Sequence, residues 1–349
     1  MKRKDSPCLL LAANTFSHAV VDFCCFTLLY TWMVREGPAA AAPGFLLYNV
    51  LAFGLQPLLG FLQDRMPRLP LSGIGCLLTA AGLLMGGLPW AGMPVCALGN
   101  ACFHVGGGRE TLRLSAGRQW PAGVFVSSGA PGVALGILAG KLGFPLWGAA
   151  LLAAACIPAL RLCRVQSPLP AAAFRTAAAR PVALVAGLCF LSVALRSFGG
   201  SLLSMPWKTG PWLSLLPAVC ACLGKAAGGF AADRWGGRRT GVLSLLAAAP
   251  LLAFGNVSPL FCGAGLFLFN MTMAITLCAL ASAMPEYPGF AFGLSTLALL
   301  LGNLPYFFAE IPFLPWLMLL STLLSAACIL YSVGGKDHVQ PAAPCSGCC

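Results

Sequence analysis

Asn14, His18 and Asp22 stand at i, i+4 and i+8 inside an otherwise apolar run. On a helix that spacing stacks three polar side chains along one face. Asn100 and His104 repeat the i, i+4 step in a second apolar run. Histidine titrates near neutral pH, and a carboxylate one turn away tunes it. His18 with Asp22 and His104 therefore suits reversible proton binding. Polar lining of a substrate path and a satisfied packing pair between helices are the other readings of the same spacing. Arg196 and Lys225 are basic residues set deep in apolar runs. Either can hold an anionic substrate or balance Asp22, and Lys225 can alternatively snorkel along its flexible stem. Asn270, and Asn303 close to Pro305, are further candidates to line a polar cavity together with Asn14 and Asn100.

The elements that must carry these groups are set by composition. The 349 residues are 59% hydrophobic and only 9% charged, against about 25% charged in an ordinary soluble domain. So few charges cannot cover a water-facing surface, so the solvent is lipid. A spanning helix needs roughly 20 apolar residues, and twelve runs qualify: 8–33, 43–63, 70–89, 91–108, 121–140, 143–161, 181–203, 211–232, 240–255, 257–283, 289–309 and 313–333. Within the 70–108 and 121–161 pairs the loops nearly vanish. The apolar run behind Met1-Lys2-Arg3-Lys4 continues too long for a leader and reads as the first span.

Net charge is +12, and its placement tests the count. With an even number of spans and a cytoplasmic N-terminus, 16 basic residues fall inside, from Lys2, Arg3 and Lys4 to Lys336. Three fall outside, Arg35, Lys141 and Lys208, which is strong positive-inside asymmetry. Arg109, Glu110 and Arg113 read as a cytoplasmic loop cluster behind span four. At 1.5 Å per residue, His18 and His104 both fall near the midplane, on helices running in opposite directions.

The longest polar interval, 162–180, divides the spans six and six. The expected organisation is an N-terminal six-helix bundle over 1–161, a cytoplasmic linker over 162–180, a C-terminal six-helix bundle over 181–333, and a cytoplasmic tail over 334–349. A repeat agrees with this. Gly60-Phe61-Leu62-Gln63-Asp64-Arg65 closes span two and Gly229-Phe230-Ala231-Ala232-Asp233-Arg234 closes span eight, 169 residues later. The glycine allows close helix approach, the aspartate can cap or pair, and the arginine anchors the loop. Repeats of this kind occur in transporters whose substrate site lies between two related halves.

This Gly-x-x-x-Asp-Arg loop resembles the signature of the major facilitator superfamily, which lies between spans two and three and recurs between eight and nine. The first copy carries Pro67 where the pattern has glycine. Three further stretches resemble the fosmidomycin-resistance-type efflux group: Ser17-His18 to Asp22, Phe103-His104-Val105, and the Gly123 to Gly136 run with Gly129, Pro131 and Gly132. The resemblance implies an all-α integral membrane fold of twelve helices in two bundles, which rock about a cavity lined by spans one, four, five, seven, eight, ten and eleven. It implies proton-driven export of a drug or metabolite by an antiporter of the plasma (inner) membrane. Proton coupling then runs through His18, Asp22 and His104, and Gly60, Asp64, Arg65, Gly229, Asp233 and Arg234 form the gating loops.

The remaining signals exclude more than they add. There is no Walker loop, dinucleotide fingerprint or zinc-protease motif, and no cofactor is expected. The basic balance serves topology rather than nucleic acid. The partners expected are a small-molecule substrate, protons and the bilayer, and the protein is expected to be a monomer. A metal-ion exporter using His18, Asp22, Cys102 and His104 with a thiol tail (His338, Cys345, Cys348, Cys349) is the alternative. An intramembrane lipid-modifying enzyme is a weaker one, because only Asp22 lies deep among the acidic groups. The 17 cysteines include Cys24, Cys25, Cys156, Cys220 and Cys222 inside apolar runs, where they act as small hydrophobes.

Overall fold

A computed structural model of the chain describes residues 6–115, 117–163 and 181–334. The linker beyond Cys163 and the tail with its Cys-x-x-Cys-Cys cluster lie outside the described residues, as do Lys2, Arg3 and Lys4.

Every described element is helical, as lipid requires of a chain that must satisfy its own backbone. Six rods form the first half. They are α1 (Pro7–Glu36), then α2 (Pro38–Asn49) continued through a π-helical turn (Val50–Gly54) into α3 (Gln56–Arg65), α4 (Leu71–Leu84), α5 (Pro89–Leu114), the broken pair α6 (Trp120–Ser127) and α7 (Gly129–Lys141), and α8 (Leu146–Cys163). Six more form the second half. They are α9 (Val182–Leu202), α10 (Gly210–Trp235), α11 (Gly237–Phe254), the pair α12 (Pro259–Asn270) and α13 (Thr272–Ala283), α14 (Pro288–Asn303) with its 3-10 turn (Leu304–Phe307), and α15 (Pro315–Ser332). Nine of the rods are long and apolar enough to cross a membrane. The others are α4, short at 14 residues, α5, whose end carries Arg109, Glu110 and Arg113, and α11, which starts with Arg238 and Arg239. The fold is therefore all-α, with twelve helices in two six-helix bundles.

The prolines between the apolar runs act as helix starts. Pro7, Pro38, Pro89, Pro121, Pro259, Pro288 and Pro315 all sit at the first or second helical position, where a missing N–H costs nothing. Prolines inside a rod act differently. Pro57 has no N–H for the carbonyl of Phe53, and the π turn lies just ahead of it. Pro131 has none for the carbonyl of Ser127, and span five breaks there into α6 and α7.

Within the first half α1 packs against α5, α7 and α8, and α4 lies between α5 and α8. Within the second half α9 and α11 pack against α15, and α12 lies between α10 and α11. The halves meet along two seams, α3 with α14 and α6 with α10. These seams exchange equivalent spans: span two meets eleven, and span eight meets five. All the described cysteines are free.

Candidate functional site

Span five's break positions the central cluster. The Phe125 carbonyl, in the last turn of α6, accepts from His18 Nδ1 at 2.8 Å and from Ser128 Oγ at 2.9 Å. Below the break Gly132 lies against the backbone of Ala19, Gly136 against that of Phe23 and Gly140 against that of Thr27. A side chain at any of these glycines would push α7 off α1. Gly129 sits over the site itself, where a Cβ would come within 2.6 Å of Asp22 Oδ2 and 2.9 Å of His18 Nε2.

His18, Asp22 and His104 converge as their spacing and depth suggest. His18 Nε2 lies 3.3 Å from Asp22 Oδ2, and His104 Nε2 lies 3.5 Å from Asp22 Oδ1. Asn100 donates to Asp22 Oδ1 at 3.1 Å, so it belongs to this cluster. His104 Nδ1 lies 2.9 Å from the Asn100 carbonyl. The His18 ring stacks on Phe125 at 4.7 Å between centroids and meets the His104 ring edge-on at 4.5 Å. All three ionisable residues are buried, and Asn100 Oδ1 is buried with no hydrogen-bond partner among the described residues.

The ring orientations follow from the partners. A backbone carbonyl only accepts, so Nδ1 of each histidine carries its hydrogen. Each Nε2 then faces a carboxylate oxygen. A bare Nε2 lone pair against an ionised carboxylate repels, so each contact needs a proton or another cation between the two atoms. Three side chains from spans one and four thus converge on one buried point, and span five holds His18 there through Phe125 and Ser128.

The other polar candidates are spread more widely. Asn14 is fully buried and donates to Glu110 Oε2 at 3.0 Å, joining α1 to α5. Asn270 donates to the Leu266 carbonyl of its own helix, and Asn303 accepts from Ser201 Oγ at 2.6 Å, tying α14 to α9. Arg196 is buried, with Nε donating to the Ser192 carbonyl at 3.3 Å and Nη2 donating to Thr276 Oγ1 at 2.8 Å. Lys225 is half-buried on α10 and interacts electrostatically with Asp22 of the other half and with Arg196. Cys102 does not join the histidines. It packs with Leu71 and Val105 instead, because it lies two residues from both Asn100 and His104 and so faces another side of α5.

The two repeated loops perform one device twice, each reaching into the opposite half. Asp64 accepts from the backbone N–H groups of Gly289 and Phe290 at the start of α14, at 3.2 and 2.9 Å. Asp233 accepts from those of Gln119 and Trp120 at the start of α6, at 2.7 and 3.0 Å. A carboxylate satisfies the orphan donors of a helix N-terminus and meets the positive end of its dipole. Gly60 lies against the Gly289 backbone, and Gly229 against Gln119 and Trp120. Phe61 stacks on Tyr287 at 5.9 Å, and Phe230 on Trp120 at 5.6 Å. Arg65 stacks over Phe61 and Tyr287, and both Arg65 and Arg234 are exposed.

Arg109 departs from the sequence expectation. It lies within helix α5, is buried, and pairs through Nε with Asp64 Oδ1 at 2.8 Å. The apolar run ends at Gly108, but the helix continues to Leu114 because the second half covers its end: a side chain at Gly108 would clash with Phe292 of α14. The carboxyl group of Asp64 is wholly buried too, so Asp22 is not alone among buried acids. No local signal pairs residues 45 positions apart.

Comparison with known proteins bears on the fold. No protein-family model matches the chain, and no curated protein matches it in sequence. Solved structures do match. A point variant of the Escherichia coli fucose:proton symporter FucP aligns with a TM-score of 0.66 at 13% identity, covering 93% of this chain and 97% of that one. A second FucP structure, described as a major facilitator superfamily transporter in the outward conformation, gives 0.64 at 12%, covering 93% and 97%. The human organic anion transporter MFSD10 (TETRAN) gives 0.63 at 17%, and a bacterial homologue of the iron transporter ferroportin, in its outward-facing state, gives 0.58 at 16%. Each of these covers 93% of this chain and 98% of the other. At these identities the likeness establishes the fold, a major-facilitator-type arrangement of two helical bundles.

Proposed function

We propose that the protein is a proton-coupled secondary transporter that moves a small organic solute by alternating access between the two bundles. The observation that carries this reading is the Asp22 carboxylate held between two histidine Nε2 atoms at 3.3 and 3.5 Å. Protonated, the three groups draw spans one and four together and hold them on span five. Losing a proton turns a Nε2–carboxylate contact repulsive, so proton occupancy and helix packing are linked. Ionisable groups at membrane depth are costly, and they are kept where they serve a pathway or a relay. The fold likeness to a fucose:proton symporter agrees with this coupling. The reciprocal caps at Asp64 and Asp233 close the loop-bearing face and release together when the bundles rock. The positive-inside charge pattern favours placing that face, and both termini, on the cytoplasmic side of the plasma (inner) membrane.

The test is flux in proteoliposomes under an imposed proton gradient. Asp22→Asn is expected to fold and insert while losing gradient-driven transport. Wild-type flux from that variant under the same gradient sinks the coupling assignment.

A second reading, a divalent-cation transporter, is favoured by one geometric fact. With Nδ1 of both histidines tied to carbonyls, two Nε2 lone pairs and the Asp22 carboxylate point at one another, all ligand atoms lying within 4.8 Å. A zinc-like ion takes such ligands at about 2.1 Å, and each Nε2 lies 3.3 or 3.5 Å from a different oxygen of the one Asp22 carboxylate. Asn100 Oδ1, on the amide that donates to Asp22, is a buried acceptor without a hydrogen-bond partner among the described residues, and a ferroportin homologue shares the fold. Calorimetry with zinc, manganese and ferrous ions on the purified protein, alongside metal flux in liposomes, separates the readings. Metal accumulation that is lost in Asp22→Asn, with no proton-driven organic flux, favours the cation.

A further inference from the structure

Charge in the interior of this protein does not balance. The second half carries Asp233, Glu286 and Glu310 as its described acids. Asp233 lies in the last turn of α10, and the two glutamates lie on either side of α14 and its 3-10 turn. Its interior holds Arg196 and Lys225 instead. Neither makes an ion pair among the described residues. From the first half Asp22 reaches Lys225 through space, but its oxygens are already engaged by His18, His104 and Asn100.

Arg196 is the costlier imbalance, because only 6% of its surface is accessible. A guanidinium has five N–H donors in a rigid fork, and here two of them are used, on the Ser192 carbonyl and on Thr276 Oγ1. Thr276 cannot supply a charge, and its own hydroxyl is committed to the Thr272 and Met273 carbonyls. A buried guanidinium without a carboxylate is costly and is retained where a ligand completes it. Lys225 lies four residues before Gly229, on the α10 face that packs against α6, and its carbonyl lies against Gly123. Its ammonium makes no hydrogen bond among the described residues, and the side chain keeps accessible surface.

We propose that Arg196 and Lys225 form the receptor for an organic anion bearing a carboxylate or phosphoryl group, bound between the two bundles. Arg196 presents the planar fork that such oxyanions accept in bidentate fashion, and Lys225 adds a mobile point charge. The assignment deepens the transporter reading by naming its substrate class, and it rests on that reading. It leaves the first half to handle the coupling cation and the second half to handle the solute.

The experiment is equilibrium binding to the purified full chain in detergent at a single pH, which needs neither gradient nor turnover. The probes are inorganic phosphate, methylphosphonate, succinate and benzoate, with dimethyl succinate and methyl benzoate as neutral counterparts. At least one anion is expected to raise the melting temperature saturably while its ester does not. Arg196→Gln and Lys225→Gln are each expected to weaken that binding about tenfold or more, the usual scale for losing a charged hydrogen bond, and Arg196→Lys to recover part of it. A receptor arginine also predicts that apo Arg196→Gln melts no lower than wild type, because an uncompensated buried charge has been removed. The inference is overturned if no anion of the panel binds, if the esters bind as well, or if the glutamine variants bind anion as tightly as wild type. It is also overturned if apo Arg196→Gln is destabilised while still responding to anion. If anion binding fails while Asp22→Asn abolishes proton-driven flux, the substrate class falls and the transporter reading stands. The reverse pattern leaves an anion receptor without proton coupling.

Discussion

The two bundles share a helix plan and differ in what they bury. The first half encloses a carboxylate with two histidines and an asparagine around it. The second half encloses an arginine on threonine and backbone oxygens, and a serine pair, Ser192 Oγ with Ser325 Oγ at 2.8 Å. That group of side chains holds no histidine and no carboxylate. One architecture therefore buries a carboxylate between histidines in one half and an arginine on neutral oxygens in the other, and the lesson is that a shared helix plan leaves the buried polar residues free to differ.

The loops show the same divergence. Both aspartates cap a helix in the opposite half, but only Asp64 also takes a buried arginine, Arg109. Asp233 remains exposed. The copy that departs from the signature at Pro67 is thus the more deeply engaged one, because Arg109 comes from α5 rather than from the loop.

Four measurements break or sharpen this contrast. The largest effect belongs to the buried carboxylate: Asp22→Asn should drop gradient-driven flux to that of protein-free liposomes, with unchanged insertion. Next come the caps. Asp64→Asn strands a buried Arg109 and should cost about 3–5 kcal/mol of closed-state stability, whereas Asp233→Asn should cost only about 1 kcal/mol. Hydrogen exchange at the Gly289 and Phe290 amides, against that at Gln119 and Trp120, reports the two separately. Equal deprotection would show that the halves close alike. Third, Gly60→Ala sets a methyl against the Gly289 backbone and should open that seam by about 1–3 kcal/mol. Gly229→Ala meets its nearest atom at 2.8 Å and should cost less on the same exchange assay. Smallest, Ser192→Ala or Ser325→Ala removes one neutral hydrogen bond and should lower stability by no more than about 1 kcal/mol, leaving proton-driven flux intact. Loss of that flux would assign the second half a part in coupling.

Much of this was legible in the residues because it is local. Apolar run length gave the rods, and the i, i+4 step put His18 over Asp22. Gly129 and Pro131 stand where span five breaks. What the break does was not legible: it turns the Phe125 carbonyl to His18 Nδ1 across 107 positions of chain. Asn14 and Asn100 read alike as cavity lining, yet one bonds Glu110 and the other bonds Asp22. Which neighbour an asparagine meets depends on the rotation of a second helix about its own axis, and no spacing within one helix encodes that.

By itself the sequence determined the solvent, the number of helices and the twofold repeat, since each follows from transfer free energies and periods that act residue by residue. Only the tertiary structure decided that Asp64 and Asp233 cap helices across the seams, that Arg109 is a buried partner of Asp64 rather than a loop charge, and that Arg196 has no carboxylate partner among the described residues. These are statements about pairs far apart in the chain. Their energy depends on distance and burial, quantities that exist only once twelve helices have packed.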